Sequence, residues 1–201
     1  MLSFAAAVFL LIITPGPGVL STAGVGSAYG FRFGLRYVLG LFIGTNLVSL
    51  AVISGLAAIV LGIPAVRTVL LVASAAYLLY LAGRIAFAGS RIAFIEAKTA
   101  PGATAGILLQ LINPKAYAVN TTLFTGFAFY PDSLAVETAV KLLILNAIWI
   151  PIHLAWLYAG VALKRLELAA HHQFRINVIM ALSMLAVVAL ALLSGFNGET
   201  P

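Results

Sequence analysis

The sequence has no cysteine, which excludes a disulfide framework and any thiol relay. Charge is also scarce. Only 8% of its 201 residues are Asp, Glu, Lys or Arg, against about 25% in an ordinary soluble domain. None of the acidic residues lies in the middle of an apolar run. Hard divalent cations want oxygen ligands, usually carboxylates, so the pattern argues against a divalent-metal pump and against a proton path built on carboxylates. His171-His172 has no further ligand near it in sequence and reads as a solvated loop, so no metal or cofactor is expected. No basic residue precedes Arg32. The charged start of a cleaved signal peptide is therefore missing, and the first apolar run is expected to stay as a membrane helix. No G-x-x-x-x-G-K-[ST] motif occurs, so a nucleotide is not the expected energy source.

What remains is 63% hydrophobic, with a mean hydropathy of +1.15. A spanning helix needs about 20 mostly apolar residues, and six stretches qualify: 2–28, 37–61, 64–88, 104–129, 134–163 and 174–193. None alternates polar with apolar residues as a barrel strand does, so the fold expected is all-α integral membrane. The formal charge of +6 is scattered singly between apolar runs, which suits lipid headgroups and the membrane potential rather than nucleic acid. Arg32, Arg36, Arg84, Arg91, Lys98, Lys164, Arg165 and Arg175 fall on one side, and Arg67 and Lys141 on the other. The positive-inside rule puts the first set in the cytoplasm and both termini outside. Glu137 stands one turn before Lys141, where the two can pair.

Two of the stretches are interrupted. The first carries Thr14-Pro15-Gly16-Pro17-Gly18, with two residues that cannot donate a backbone hydrogen bond and two that permit unusual backbone angles. The fourth carries Asn113-Pro114-Lys115. A lysine at membrane depth costs about 2.5–3.5 kcal/mol or more, and unwound backbone is tolerated there only against protein or a water-filled cavity. The expectation is that the breaks face each other and bind a polar solute. Lys115 and the restarted helix N-terminus would then suit a carboxylate. The plainer alternatives are a structural kink at Pro15 and a lysine that snorkels to headgroups.

Six spans divide into three and three, and an odd number per half inverts the second half relative to the first. Asn46 follows Pro15 by 31 residues and Asn146 follows Pro114 by 32, as an ancient duplication would leave them. The chain is thus read as one transmembrane domain, residues 1–201, with halves at about 1–98 and 101–201. Its first and fourth helices are broken. Asn46, Asn120, Asn146 and His153 are further polar residues inside the spans. Asn113 shares a helix face with Asn120, and Asn146 with His153, so these side chains either line one cavity or bond helices together. His153 is the candidate proton carrier. Gly26, Gly30, Gly34, Gly40 and Gly44 recur at small-residue spacings that let helices pack closely.

Thr14-Pro15-Gly16-Pro17, the glycine-rich joint after it and Asn113-Pro114-Lys115-Ala116 together resemble the LysE/RhtB family of amino-acid exporters. The resemblance implies multi-pass residence in a bacterial inner membrane and efflux of amino acids or their derivatives by exchange with protons. It makes Pro15, Gly16, Pro17, Asn113, Pro114 and Lys115 motif positions. Gly18 departs from the family, which often has asparagine there. The partners implied are an amino acid, protons and membrane lipid, and a homo-oligomer is compatible with the sequence. Three other readings compete. A non-catalytic membrane subunit or scaffold would pack both breaks dry, and a carrier of another small solute would share the same architecture. A lipid-acting enzyme has only Glu167, His171 and His172 to work with, so no enzyme is expected.

Overall fold

The computed structural model describes residues 1–86, 100–130 and 132–165, and beyond them residues 171, 172, 174–176, 178, 179, 182, 183 and 186. No strand occurs among the described residues. Among the described residues eight helices are delimited: α1 (Leu2–Ile13), α2 (Pro17–Tyr29), α3 (Phe31–Ile53), α4 (Leu56–Leu61), α5 (Pro64–Ala86), α6 (Ala103–Ile112), α7 (Pro114–Thr125) and α8 (Leu134–Arg165). Phe31–Ile53, Pro64–Gly83 and Leu134–Leu163 are long and apolar enough to cross a membrane. Joined as one bent element, α1 and α2 make a fourth. The expected sixth stretch, 174–193, lies largely outside the described residues. Those of its positions that are described are helical.

Local chemistry accounts for most of the boundaries. Pro64 and Pro114 open α5 and α7, where a missing N–H is no loss. Ser133 accepts a 3.4 Å hydrogen bond from the Val136 N–H at the start of α8. The joint after α2 is shorter than expected. Gly30 turns the chain by itself at φ 83°, a conformation other residues rarely adopt. The second stretch therefore begins at Phe31 rather than 37, and Arg32 and Arg36 lie on its first turns instead of in a loop. It is also divided, because Gly55 at φ 75° separates α3 from α4.

The core lies between α2, α3, α6 and α8, and glycines set the spacing. A Cβ on Gly26 would stand 2.8 Å from the Leu157 carbonyl oxygen. One on Gly40 would overlap the Ala103 carbonyl, and one on Gly160 that of Ala23. Close approach of this kind is how helices associate where lipid removes the hydrophobic drive between them. Leu20, Val25, Tyr37, Leu41, Leu109, Trp149 and Leu157 fill this interface, and a second cluster of Phe4, Val8, Leu123 and Leu145 joins α1, α7 and α8. The expected Glu137–Lys141 pair forms at 2.8 Å, but it is buried rather than superficial. Glu137 accepts the Phe129 and Tyr130 N–H groups at 2.8 and 2.7 Å, while Lys141 donates to the Phe124 and Phe127 carbonyls. One ion pair thus ties Phe124, Phe127, Phe129 and Tyr130 to α8.

Candidate functional site

The chain between α1 and α2 is Thr14, Pro15 and Gly16, and the two helices meet at 51°. Gly16 is fully extended, and Pro17 opens α2 with no side-chain cap. Leu20 donates its N–H to the Gly16 carbonyl at 3.0 Å, which leaves the Gly18 and Val19 N–H groups at the helix start without a partner from within the turn. The break between α6 and α7 is a single residue. Asn113 has the extended geometry that a following proline imposes. Its side chain accepts the Lys115 N–H at 3.1 Å, and its carbonyl accepts the Ala116 N–H at 3.0 Å. The second break is therefore capped by its own residue.

The breaks face each other across about 100 residues of chain. Lys115 Nζ donates to the Thr14 carbonyl at 2.8 Å and to the Pro15 carbonyl at 3.4 Å. These are orphan acceptors at the negative end of α1, where a cation is favoured. Gly16 permits the approach, since a Cβ there would stand 2.9 Å from both Cδ and Nζ of Lys115. An ammonium has three donors, so one N–H remains uncommitted.

Between the breaks lies a cavity of about 60 Å³, enough for a handful of waters at roughly 10–15 Å³ each. Thr14, Gly16, Gly18, Lys115 and His153 line it together with the apolar side chains of Leu11, Ile12, Val119, Leu145 and Trp149. Lys115 is half-buried on the side where Thr14 is exposed, while Gln110, Asn113, Asn120 and His153 are buried deeper in the protein. The His153 ring stacks on Trp149 with centroids 3.5 Å apart, and its Nδ1 lies 3.0 Å from the Trp149 carbonyl. Its Nε2 is the nearest atom to the space in front of Gly18.

The family of LysE type translocators matches residues 9–195. This chain belongs to that family. Among its relatives, the leucine efflux protein of Enterobacter sp. (strain 638) is 28% identical over 144 residues, covering 68% of this chain and 66% of that protein. The leucine efflux protein of Klebsiella pneumoniae subsp. pneumoniae is 29% identical over 126 residues, covering 60% and 59%. The matched stretches thus span just under two thirds, or less, of those relatives. No solved structure matches.

In this LysE-type chain the residues singled out from sequence separate into two groups. Gly16, Asn113, Lys115, Asn120 and His153 line the cavity. Pro15 contributes its carbonyl to Lys115, and Pro17 and Pro114 start the two helices behind the breaks. Asn120 accepts from Ser49 Oγ at 2.6 Å and donates to the Ala116 carbonyl at 2.8 Å, so it also ties α7 to α3. Asn46 and Asn146 lie away from the cavity and bond each other reciprocally, at 3.1 and 3.0 Å. Asn146 borders a separate groove with Leu142, Leu143 and Ile150. The sequence reading passed over Gln110, the one amide in the apolar run of α6. It donates to Thr45 Oγ1 and accepts from Asn113 Nδ2 at 3.1 Å, carrying the second break's polar network across to α3. A lone amide in an otherwise apolar helix was the available signal.

Proposed function

We propose that the protein is a secondary transporter that exports small neutral amino acids, leucine-like ones foremost, across a bacterial inner membrane in exchange for protons. The observation that carries this reading is the cavity shared by two backbone breaks and joined by Lys115. It offers a free ammonium donor, the uncapped start of α2 and exposed carbonyls to a zwitterion's head, and Leu11, Ile12, Val119, Leu145 and Trp149 to its apolar side chain. The carboxylate is assigned to Lys115 and the Gly18 and Val19 N–H groups rather than to the start of α7, because Asn113 already caps α7. Membership of a translocator family and the leucine efflux relatives support the same reading. A scaffold would have packed the breaks dry, and the cavity counts against it.

The architecture proposed is six spans in two inverted halves, with α1–α2 and α6–α7 as the broken helices, in one domain whose termini face the periplasm. The reciprocal Asn46–Asn146 pair supports it, since a two-fold relation between α3 and α8 produces a contact of this kind. So does the packing of the two bent elements on the long helix of the opposite half, α1 and α2 on α8 and α6 and α7 on α3. Rocking of one half on the other would expose the cavity to each side in turn. His153 is proposed as the proton carrier, because it is the buried titratable ring on the cavity wall.

Counterflow in liposomes tests the proposal. The purified protein, with an imposed pH gradient and a panel of labelled amino acids, is expected to move leucine and similar residues, with uptake that collapses on adding an uncoupler. His153→Gln is expected to keep leucine–leucine exchange and lose the response to the pH gradient. Absence of flux for every amino acid, from folded protein, would refute amino-acid export. Flux indifferent to the uncoupler would refute the proton.

A further inference from the structure

A continuous helix through the first break would join the Thr14 carbonyl to the Gly18 N–H and the Pro15 carbonyl to the Val19 N–H. The bend of 51° between α1 and α2 takes both bonds apart. Two acceptors and two donors are left a few residues from each other. The acceptors are met by an ammonium, with Lys115 Nζ 2.8 Å from the Thr14 oxygen and 3.4 Å from that of Pro15. The donors meet no acceptor in their own turn, and no side chain caps them. Gly16 lies between the two sets and keeps the approach open, since a Cβ there would stand 2.9 Å from Lys115 Nζ. The ammonium itself comes from the other half of the chain, on a flexible stem that is only half-buried. It is held by two backbone oxygens and by no carboxylate.

We propose that the Thr14 and Pro15 carbonyls are the subsite for the substrate's ammonium, and that Lys115 fills this subsite as a resident ligand while the carrier is empty. The inference rests on the amino-acid reading above and deepens it. The tip of a lysine side chain and the head of an amino acid carry the same group, a primary ammonium with three donors. Both suit the end of α1, where a cation is favoured. The substrate's ammonium can therefore replace that of Lys115 and leave neither acceptor open. Its carboxylate, one carbon away, then faces the Gly18 and Val19 N–H groups, and the freed Lys115 turns to the same carboxylate. A zwitterion thus satisfies both halves of the hydrogen bonds that the bend takes apart. An amine without a carboxylate does not. It expels Lys115 and leaves two cations side by side, with no anion to draw them together. Lys115 is in this way a selectivity device against simple amines, and removing its charge opens the subsite to them.

The test is isothermal titration of the purified protein with three probes. They are leucine, 3-methylbutylamine (leucine without its carboxylate) and 4-methylpentanoate (leucine without its amino group). The unaltered protein is expected to bind the amine about tenfold or more weakly than leucine, because like charges set side by side are costly. In Lys115→Met the order is expected to reverse. The amine gains about tenfold or more over the unaltered protein, leucine loses at least as much, and the acid gains nothing. Lys115→Ala, which also removes the stem, is expected to behave in the same way. Thermal unfolding verifies the fold of each variant and gives a second readout: the amine is expected to raise the unfolding temperature of both variants and not that of the unaltered protein. Equal binding of amine and leucine by the unaltered protein would overturn the proposal without any variant. So would the absence of a gain for the amine in both variants, or an equal gain for amine and acid. Failure of the unaltered protein to bind any amino acid would instead overturn the amino-acid reading, while a gain of amine binding in the variants would still mark the two carbonyls as an ammonium subsite.

Discussion

The two breaks are built in opposite ways. At Asn113-Pro114 the geometry is local: proline forces the residue before it out of the helix, and that residue's own amide caps the helix that follows. At Thr14-Pro15-Gly16-Pro17 no side chain caps α2. Thr14 Oγ1 turns back to the Leu10 carbonyl at 2.6 Å, and the carbonyls of Thr14 and Pro15 are met by a lysine from the other half of the chain. One break completes itself and the other is completed by tertiary contact. The second leaves the Gly18 and Val19 N–H groups at the start of α2 without a side-chain cap. The difference suggests a division of labour, with the α6–α7 break as the fixed wall and the α1–α2 break as the part that answers to Lys115 and to substrate.

The sharpest way to break this comparison is to remove the charge that joins the two. Lys115→Met keeps the stem beside Gly16 and deletes both hydrogen bonds to the α1–α2 break. Bonds to charged groups contribute about 1.5–3 kcal/mol each, so amino-acid flux in liposomes is expected to fall about a hundredfold or more, while the protein still elutes as folded. Lys115→Arg, with a longer and planar head, is expected to restore only part of the flux. Normal flux in Lys115→Met would mean that the breaks do not act together.

A smaller effect is expected at the self-sufficient break. Asn113→Ala removes the α7 cap and leaves Gln110 Oε1 without its donor, while Gln110 still donates to Thr45. The expectation is a loss of about 1 kcal/mol in stability, seen as a lower unfolding temperature. Asn113→Asp keeps the acceptor for the Lys115 N–H and is expected to recover most of that loss. If Asn113→Ala abolished flux as fully as Lys115→Met does, without lowering stability, Asn113 would belong to the ligand site rather than to the wall. The smallest effect concerns the Asn46–Asn146 pair. A double-mutant cycle with alanine is expected to return a coupling of about 0.6 kcal/mol, the usual size for hydrogen bonds between membrane helices, with little change in flux. A large loss of flux from either single variant would place this pair in the transport cycle itself.

Composition and short-range sterics made much of the protein legible before its structure was known. With 8% charged residues the chain could only be a membrane protein. The helix starts at Pro64 and Pro114 and both interruptions follow from residues within four positions of each other, where backbone clashes and missing donors act directly. The pairing of Glu137 with Lys141 was legible for the same reason, one turn apart on one helix. What tertiary structure alone decided is which faces meet. Asn46, Asn120, Asn146 and Gln110 are all amides in apolar helices, and nothing in their neighbours distinguishes them. The rotation and crossing of the helices sent Asn46 and Asn146 to each other and Asn120 and Gln110 to the cavity wall. The same packing brought Lys115 to carbonyls about 100 residues away and left Gly18 facing His153. Such choices depend on how whole helix surfaces fit together, a sum over many weak contacts that no short stretch of sequence contains.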